Sequence, residues 1–281
     1  MPRTQLAQLV TPGMQVHLDT IDPADTGGLT RGEAEKRLPA LAEELSTLQT
    51  LCYAAAHHSV LIVLQGMDTS GKDGTIAQVF SSINPQGCAV VAFKSPTAEE
   101  LAHDFLWRVH PHTPGQGKMA VFNRSHYEDV LIARVHTLVP PPVWQRRYDH
   151  INRFESLLTD SGTIVFKFFL HISKEEQEKR LRPREGDPTK AWKVDPNDWI
   201  EREHWAAYQE AYEDALTKCT VKAAPWYIVP ADRKWFRNLA ISEAIVAALR
   251  PYAAEWTKAL KARGDIQLAA LRRLRAGAPT A

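Results

Sequence analysis

A glycine-containing loop between a strand pattern and a helix pattern constrains this fold more than any other feature. Residues 60–64 are five consecutive large apolar side chains, which is typical of a strand buried on both faces. Gly66 ends this pattern, and apolar residues recur at helical spacing from Ile76 onward. The spacing Gly66-x-x-x-x-Gly71-Lys72 between strand and helix predicts a phosphate-binding loop.

The residue types in this loop suit phosphate oxygens. Glycines let backbone N–H groups approach a phosphate without a Cβ in the way, and the following helix offers free N–H groups and the positive end of its dipole. Lys72 adds a mobile cation that can follow a phosphoryl group as it moves. The candidate phosphate-binding residues of the loop are Gly66, Thr69, Ser70, Gly71, Lys72, Asp73, Gly74 and Thr75.

Two carboxylates inside this anion site point to a metal ion. Asp73 stands where Ser or Thr usually follows the lysine, and Asp68 lies within the loop. A carboxylate at Asp73 would repel a bare phosphate, whereas a Mg²⁺ between them would attract both. The alternative is that Asp73 only caps the helix. Mg²⁺ is therefore the expected cofactor, with Mn²⁺ as a substitute.

Composition narrows the class of protein. The chain has 281 residues and 44% hydrophobic content, enough for a core rather than a disordered segment. A net charge of +1 gives no global attraction to nucleic acid or to a membrane. The three cysteines lie far apart, the N-terminus lacks a signal-peptide pattern, and no apolar run approaches 18 residues. We expect a cytoplasmic protein that binds neither nucleic acid nor membrane.

Alternating strand and helix patterns divide the chain into three parts. Residues 1–58 predict an arm and a helix packed on the core. Residues 59–250 predict five strands separated by helices, which form a parallel sheet covered on both faces. The pattern over residues 251–281 predicts a helical tail that ends in basic residues. We expect this tail either to lie at an oligomer contact or to be partly disordered. The fold class is therefore α/β, a three-layer sandwich with a five-stranded parallel sheet, and we expect a homo-oligomer.

Polar residues follow the predicted strands at the edge where ligands bind in open α/β sheets. Lys94 follows the second strand and is either a ligand-binding group or an ordinary surface lysine. Asn123 and Arg124 follow the third strand, and Arg233 follows the fifth. Arg124 should therefore face the same cleft as Lys72.

Two acids follow Arg124 at the start of the next predicted helix. In phosphoryl-transfer enzymes, a carboxylate at the end of this strand orders magnesium or its water, and here the neutral Asn123 stands there. Glu128 and Asp129 are candidate metal ligands, because a carboxylate beside Arg124 could hold Mg²⁺ or orient its water. Ser125-x-x-Glu128 also has the spacing of a capping box, so Glu128 has a structural interpretation beside the functional one.

A basic segment follows the fourth strand and its helix. Pro183, Gly186 and Pro188 interrupt the helical pattern there. A basic run is usually a solvated face, but arginines on a mobile segment can also close over phosphates and exclude water. We favour a lid over residues 179–217. Its candidate phosphate-binding residues are Arg180, Arg184, Lys190 and Lys193.

Several motifs together resemble the polyphosphate kinase 2 family. They are Gly66-Met67-Asp68-Thr69-Ser70-Gly71-Lys72-Asp73-Gly74-Thr75, Phe122-Asn123-Arg124-Ser125-His126-Tyr127-Glu128-Asp129-Val130, Asp187-Pro188-x-Lys190-x-Trp192-Lys193, Pro225-Trp226 and Asp232-Arg233-Lys234. The resemblance implies a P-loop kinase fold with a helical lid, and magnesium-dependent phosphoryl transfer between inorganic polyphosphate and a nucleotide.

The same resemblance implies roles for particular residues. Asp68 and Lys72 would be the catalytic acid and cation of the loop, and Arg124 a phosphate clamp. Lys190 and Lys193 would belong to the lid. The sequence of residues 126–129 is similar to the branch that phosphorylates both AMP and ADP, with ATP as a product, whereas other branches tend to carry Trp-Tyr-Asn-Arg there. Lys94, Asn123 and Glu128 are then candidate nucleotide-binding residues.

Two alternatives remain open at this point. One is an ATP-dependent nucleoside monophosphate or small-molecule kinase of the same fold. Asp73 argues against it, because it stands where such a loop usually has Ser or Thr. The other is a non-catalytic polyphosphate sensor, against which Asp68, Lys72 and Arg124 count together. A long polyanion needs a track of cations on this nearly neutral protein, and we expect Lys72, Arg124 and the basic residues of 179–193 to supply it.

Overall fold

A computed structural model describes the backbone of residues 6–185 and 195–276, and the side chains of all of these except residues 184 and 185. The five predicted parallel strands are β2 (Ser59–Gln65), β3 (Cys88–Ala92), β4 (Met119–Asn123), β5 (Thr163–His171) and β6 (Trp226–Pro230). They form one sheet in the spatial order β6-β5-β2-β4-β3.

A sixth strand, β1 (Gln8–Leu9), extends the sheet beyond β6 in the antiparallel direction. Gln8 lies opposite Ile228, and the N–H of Val10 donates to the carbonyl of Trp226 at 2.9 Å. The prediction of five strands with a surface arm was therefore wrong in this segment. A strand of two residues is too short to show the alternation that identifies a strand in a sequence.

Helices surround the sheet. They are α1 (Arg31–Ala55), α2 (Lys72–Val79), α3 (Ala98–Leu101), α4 (Ile132–Val135), α5 (Pro141–Asp160), α6 (Lys174–Glu185), α7 (Pro196–Glu203), α8 (Trp205–Lys218), α9 (Lys234–Leu249) and α10 (Ala253–Arg275). A short 3₁₀ helix covers His126–Val130 and is called the 126–130 helix below. Helix α1 packs on α9 and α10, while α5 packs on β5 and the 126–130 helix.

The centre of the core is β2, whose seven residues are all buried between β4 and β5. Helix α10 joins this core through Trp256, which is fully buried and donates its indole N–H to His58 at 3.1 Å. Residues 261–276 are exposed. Within the described ranges, every helix is too short or too polar to cross a membrane.

The order of the strands places a ligand crevice between β2 and β4. The chain leaves β2 toward β3 on one side of the sheet, and leaves β4 toward β5 on the other side. Since β2 and β4 are neighbours, their outgoing connections diverge at their carboxyl ends. Open α/β sheets bind ligands at such a switch point, so the segments after β2 and β4 should carry the functional site.

Candidate functional site

The loop after β2 has the backbone of an anion cradle. Gly71 is the N-cap of α2 and has φ +103°, a left-handed conformation that favours glycine. At Gly66, a Cβ would lie 2.7 Å from the carbonyl oxygen of Leu170, so a side chain does not fit. The first turn of α2 presents N–H groups that have no partner within the helix. Loop and helix together offer a site for a phosphate group.

Lys72 occupies this cradle itself. Its Nζ donates to the carbonyl oxygens of Gly66 at 2.8 Å and Met67 at 3.3 Å, and the side chain is buried. Burial, and then the nearby charge of Arg124, lower the pKa of Lys72. A phosphate entering the loop would compete with these neutral carbonyls for the ammonium group, and its negative charge favours the exchange.

Arg124 and Asp68 meet at the open side of the cradle. Nη2 of Arg124 donates to Oδ1 of Asp68 at 2.7 Å, and both side chains are partly exposed. Arg124 has φ +63°, which is uncommon for a residue with a side chain and often marks a functional position. Its N–H donates to the carbonyl of Leu64 at 3.1 Å, which joins the segment after β4 to β2.

Glu128 faces the same cleft and forms no capping box. The Ser125 hydroxyl accepts from the N–H of Tyr127 at 3.2 Å, while the N–H of Glu128 donates to the backbone carbonyl of Ser125 at 3.1 Å. The predicted capping role of Glu128 was therefore wrong. Burial raises the pKa of its carboxyl, and the positive charges of Arg124 and Lys72 oppose that shift. Glu128 is thus within electrostatic reach of both cations.

Asp73 does not cap α2 either, since Gly71 is its N-cap and no side chain caps this end. Oδ1 of Asp73 accepts instead from Nδ2 of Asn123 at 2.5 Å. This contact links the loop after β2 to the end of β4. Asp73 is exposed, so its second carboxylate oxygen can face a ligand or a hydrated metal ion.

Asp129 differs from the other two predicted metal ligands. Its carboxylate accepts from Nη1 of Arg147 at 2.8 Å, and its backbone carbonyl accepts from the same nitrogen at 2.9 Å. Burial, opposed by Arg147, raises its pKa to about 6. Among the described residues, no three His, Cys, Asp or Glu side chains are grouped closely enough to hold a metal ion. Asp68 and Glu128 therefore offer carboxylates at this edge without belonging to a closed set of three protein ligands among the described residues.

Arg180 was expected to bind phosphate, but in the structure its guanidinium binds backbone carbonyls instead. Nη1 donates to the carbonyls of Thr69 and Ser70 at 2.9 and 3.0 Å, and Nη2 to those of Ala231 and Asp232 at 2.6 and 3.0 Å. Nε donates to Glu176 at 2.8 Å. All five N–H groups of the guanidinium are used. Arg180 joins the phosphate loop to the segment after β6 and has no N–H left for a phosphate.

The remaining predicted residues lie at the same edge or outside the described part. Lys94 and Arg233 are exposed, after β3 and β6 respectively. Lys190 and Lys193 fall outside the described residues, as does the side chain of Arg184.

A buried polar cluster supports the 126–130 helix and was not predicted. Nζ of Lys167 donates to Oε2 of Glu155 at 2.5 Å, to the Tyr127 hydroxyl at 3.0 Å and to the Cys219 carbonyl at 2.5 Å. The Tyr127 hydroxyl donates to Oε1 of Glu155 at 2.8 Å, and His126 lies 3.3 Å from the same oxygen. The cluster joins β5, α5 and the end of α8 to the helix that carries Glu128. Its only sequence signal is a lysine inside an apolar strand.

Comparison with known proteins shows the family of this chain. The family model described as "Polyphosphate kinase 2 (PPK2)" matches residues 28–256, most of the chain. The chain belongs to the polyphosphate kinase 2 family. The α/β fold and the family resemblance expected from the motifs are thereby confirmed.

Relatives of this polyphosphate kinase 2 chain have been named for their substrates. It is 48% identical over 249 residues to the AMP/ADP-polyphosphate phosphotransferase of Meiothermus ruber, covering 88% of this chain and 93% of the relative. It is 44% identical over 233 residues to the ADP-polyphosphate phosphotransferase of Rhodopseudomonas palustris, covering 79% and 81%. The crystal structure of polyphosphate kinase 2 from Arthrobacter aurescens matches with a TM-score of 0.82 at 39% identity, covering 88% and 92%.

Proposed function

We propose that this chain transfers the terminal phosphoryl group of inorganic polyphosphate to AMP and ADP, reversibly, giving ADP and ATP. The observation that carries the proposal is the meeting of two cations, Lys72 and Arg124, with two acids, Asp68 and Glu128, at the switch point between β2 and β4. The names of the relatives above support the choice of donor and acceptor.

The chemistry needs alignment and charge neutralisation. In an in-line transfer, the acceptor phosphate oxygen forms a bond to the terminal phosphorus as the bridging oxygen of polyphosphate leaves. The attacking oxygen is already anionic, so no nucleophilic side chain or general base is required. Lys72 and the backbone N–H groups of the loop would hold the transferring group, and Arg124 would clamp a neighbouring phosphate. Asp68 would fix Arg124 through the contact described above.

Magnesium fits the donor set. Asp68 and Glu128 offer carboxylate oxygens, and Mg²⁺ is usually held by one or two carboxylates together with substrate phosphates rather than by a closed protein cage. The hydroxyls of Thr69, Ser70 and Thr75 are buried without a partner among the described residues, so the loop has unused oxygens beside the phosphate position. When bound, the ion would neutralise phosphate charge and orient the two reactants.

Residues beyond the centre would extend the site. Arg184, Lys190, Lys193 and Arg233 would form the track for a long polyanion, closed by the lid over residues 179–217. Lys94 and Asn123 would contact the nucleotide. Polyphosphate affinity should then fall with rising salt, because cations that bind a polyanion release its counterions.

The three cysteines are free in the structure, which suits the cytoplasm, and we expect a homo-oligomer.

Glu128→Gln should reduce phosphorylation of AMP more than that of ADP. AMP is shorter by one phosphate, so a metal ion or water held by Glu128 would bridge a gap that ADP fills itself. We expect about a tenfold lower kcat/KM for AMP, which is 1.4 kcal/mol, and a smaller effect on ADP. Glu128 makes no capping box and Gln has nearly the same shape, so the melting temperature should change little. Glu44→Gln, at a surface pair with Arg250, is the matched control. Equal losses on both acceptors would remove Glu128 from the acceptor site.

A donor exchange separates this function from an ATP-dependent kinase of the same fold. Purified protein is given AMP and Mg²⁺ with either polyphosphate or ATP as phosphoryl donor, and ADP formation is measured. We expect efficient transfer from polyphosphate. Transfer from ATP with none from polyphosphate would contradict the proposal.

A further inference from the structure

Two arginines meet at one backbone carbonyl of the phosphate loop. Nη1 of Arg180 and Nη1 of Arg237 both donate to the carbonyl oxygen of Ser70, at 3.0 and 3.3 Å. Arg237 comes from α9 and is 2% exposed. A Cβ on Gly71 would overlap its guanidinium, so the glycine at this position leaves room for the arginine as well as allowing the turn.

The charge of Arg237 is not neutralised by the protein around it. Its other hydrogen bonds go to the neutral amide oxygen of Asn238, at 3.1 and 2.8 Å, and no carboxylate pairs with it among the described residues. Burial, and then the charge of Arg180, lower its pKa to about 10, so Arg237 remains a cation at neutral pH. A buried charge without a counterion is costly. An anion in the adjacent loop would lower that cost by direct attraction.

The contact also sets the direction of a backbone N–H group. In a trans peptide, the C=O and N–H of one unit point in opposite directions. The carbonyl of Ser70 belongs to the same unit as the N–H of Gly71. Holding this oxygen toward the arginines turns the N–H away from them. The described contacts give the Gly71 N–H no acceptor.

We propose that Arg237, assisted by Arg180, is a positioning residue for phosphate binding. It holds the Ser70 carbonyl back so that the Gly71 N–H faces the polyphosphate chain, and it adds positive charge from behind the loop. This inference rests on the proposed function for the identity of the ligand. It adds a residue that acts through the loop without touching the substrate.

The test compares Arg237→Met and Arg237→Lys with the wild-type protein. Titration calorimetry with magnesium tripolyphosphate and with AMP is combined with steady-state kinetics. We expect Arg237→Met to weaken tripolyphosphate binding and to raise the KM for polyphosphate by about tenfold, with AMP affinity unchanged. Lysine keeps the positive charge and an N–H donor group but lacks the fork of the guanidinium, so Arg237→Lys should recover part of the loss. Arg250→Met removes an arginine paired with Glu44 on the surface and should change neither affinity.

A direct readout is the amide signal of Gly71 in NMR spectra. Tripolyphosphate should shift it strongly in the wild-type protein and weakly in Arg237→Met. Unchanged tripolyphosphate affinity in a folded Arg237→Met would overturn the inference, and equal losses for tripolyphosphate and AMP would do so too. Failure of both variants to fold would assign Arg237 to stability alone and overturn it as well. If the wild-type protein itself does not bind tripolyphosphate, the proposed function fails instead.

Discussion

Lys72→Ala should reduce phosphoryl transfer at least a hundredfold and leave the fold intact. Loss of a preorganised charge at the transferring group typically costs on the order of 3 kcal/mol in the transition state. The structure places Nζ of Lys72 in the phosphate loop, where it donates to two neutral carbonyls and forms no ion pair within 4 Å among the described residues. Removing it breaks no ion pair, so the protein should remain stable. Steady-state turnover with AMP and polyphosphate measures the effect.

Asp68→Asn should give a loss of similar size through a different route. It removes a carboxylate that would hold magnesium and that fixes Arg124 at 2.7 Å. Lys218→Ala is the control for both variants, because Lys218 pairs with Asp214 on the surface. Near wild-type turnover by either folded variant would show that the loop after β2 is not the catalytic centre.

Lys167→Met should destabilise the protein by about 3–5 kcal/mol, because it leaves the Glu155 carboxylate buried without its counterion. Both side chains are fully buried, and all three N–H donors of Lys167 are used. Urea unfolding followed by circular dichroism measures the loss. Lys218→Met, at an exposed ion pair, should cost less than about 1 kcal/mol. A loss at Lys167 no larger than this control would mean that the cluster does not support the fold.

The pH dependence of this loss has a definite sign. In the wild-type protein, burial would raise the pKa of Glu155, but Lys167 and His126 outweigh it, so the pKa is lowered. Glu155 therefore contributes stability above its unfolded pKa, and this contribution is lost as the pH falls through its folded pKa. In Lys167→Met, burial dominates and raises the pKa instead, so protonation relieves the cost. We expect the difference in stability between wild type and variant to shrink from pH 7 to pH 5.

The phosphate loop could be predicted because its parts are contiguous. The apolar strand, the glycines and Lys72 lie within 16 residues, and their spacing alone fixes their geometry. Arg180 could not be assigned in this way, since its partners are the carbonyls of residues 69–70 and 231–232. Nothing in the sequence indicates that a basic residue near the lid is bound to backbone oxygens from two distant loops.

Local signals also failed where the helix geometry differed from the expected one. Ser125 and Glu128 have capping-box spacing, but the segment forms a 3₁₀ helix. Its tighter turn brings the N–H of Tyr127, instead of that of Glu128, to the serine hydroxyl. Likewise, α7 and α8 are separated at His204, where no glycine or proline in the sequence marks the break.

The most direct test of the central claim is the formation of ATP from AMP, inorganic polyphosphate and Mg²⁺ by the purified protein. ³¹P NMR follows the nucleotides and the shortening polyphosphate in one sample, with Lys72→Ala as the blank. The proposed function predicts that ADP appears first and ATP second, that both vanish from the Lys72→Ala sample, and that chelation of the metal stops the reaction. Absence of nucleotide phosphorylation by the folded wild-type protein, or equal rates in the Lys72→Ala sample, would contradict it.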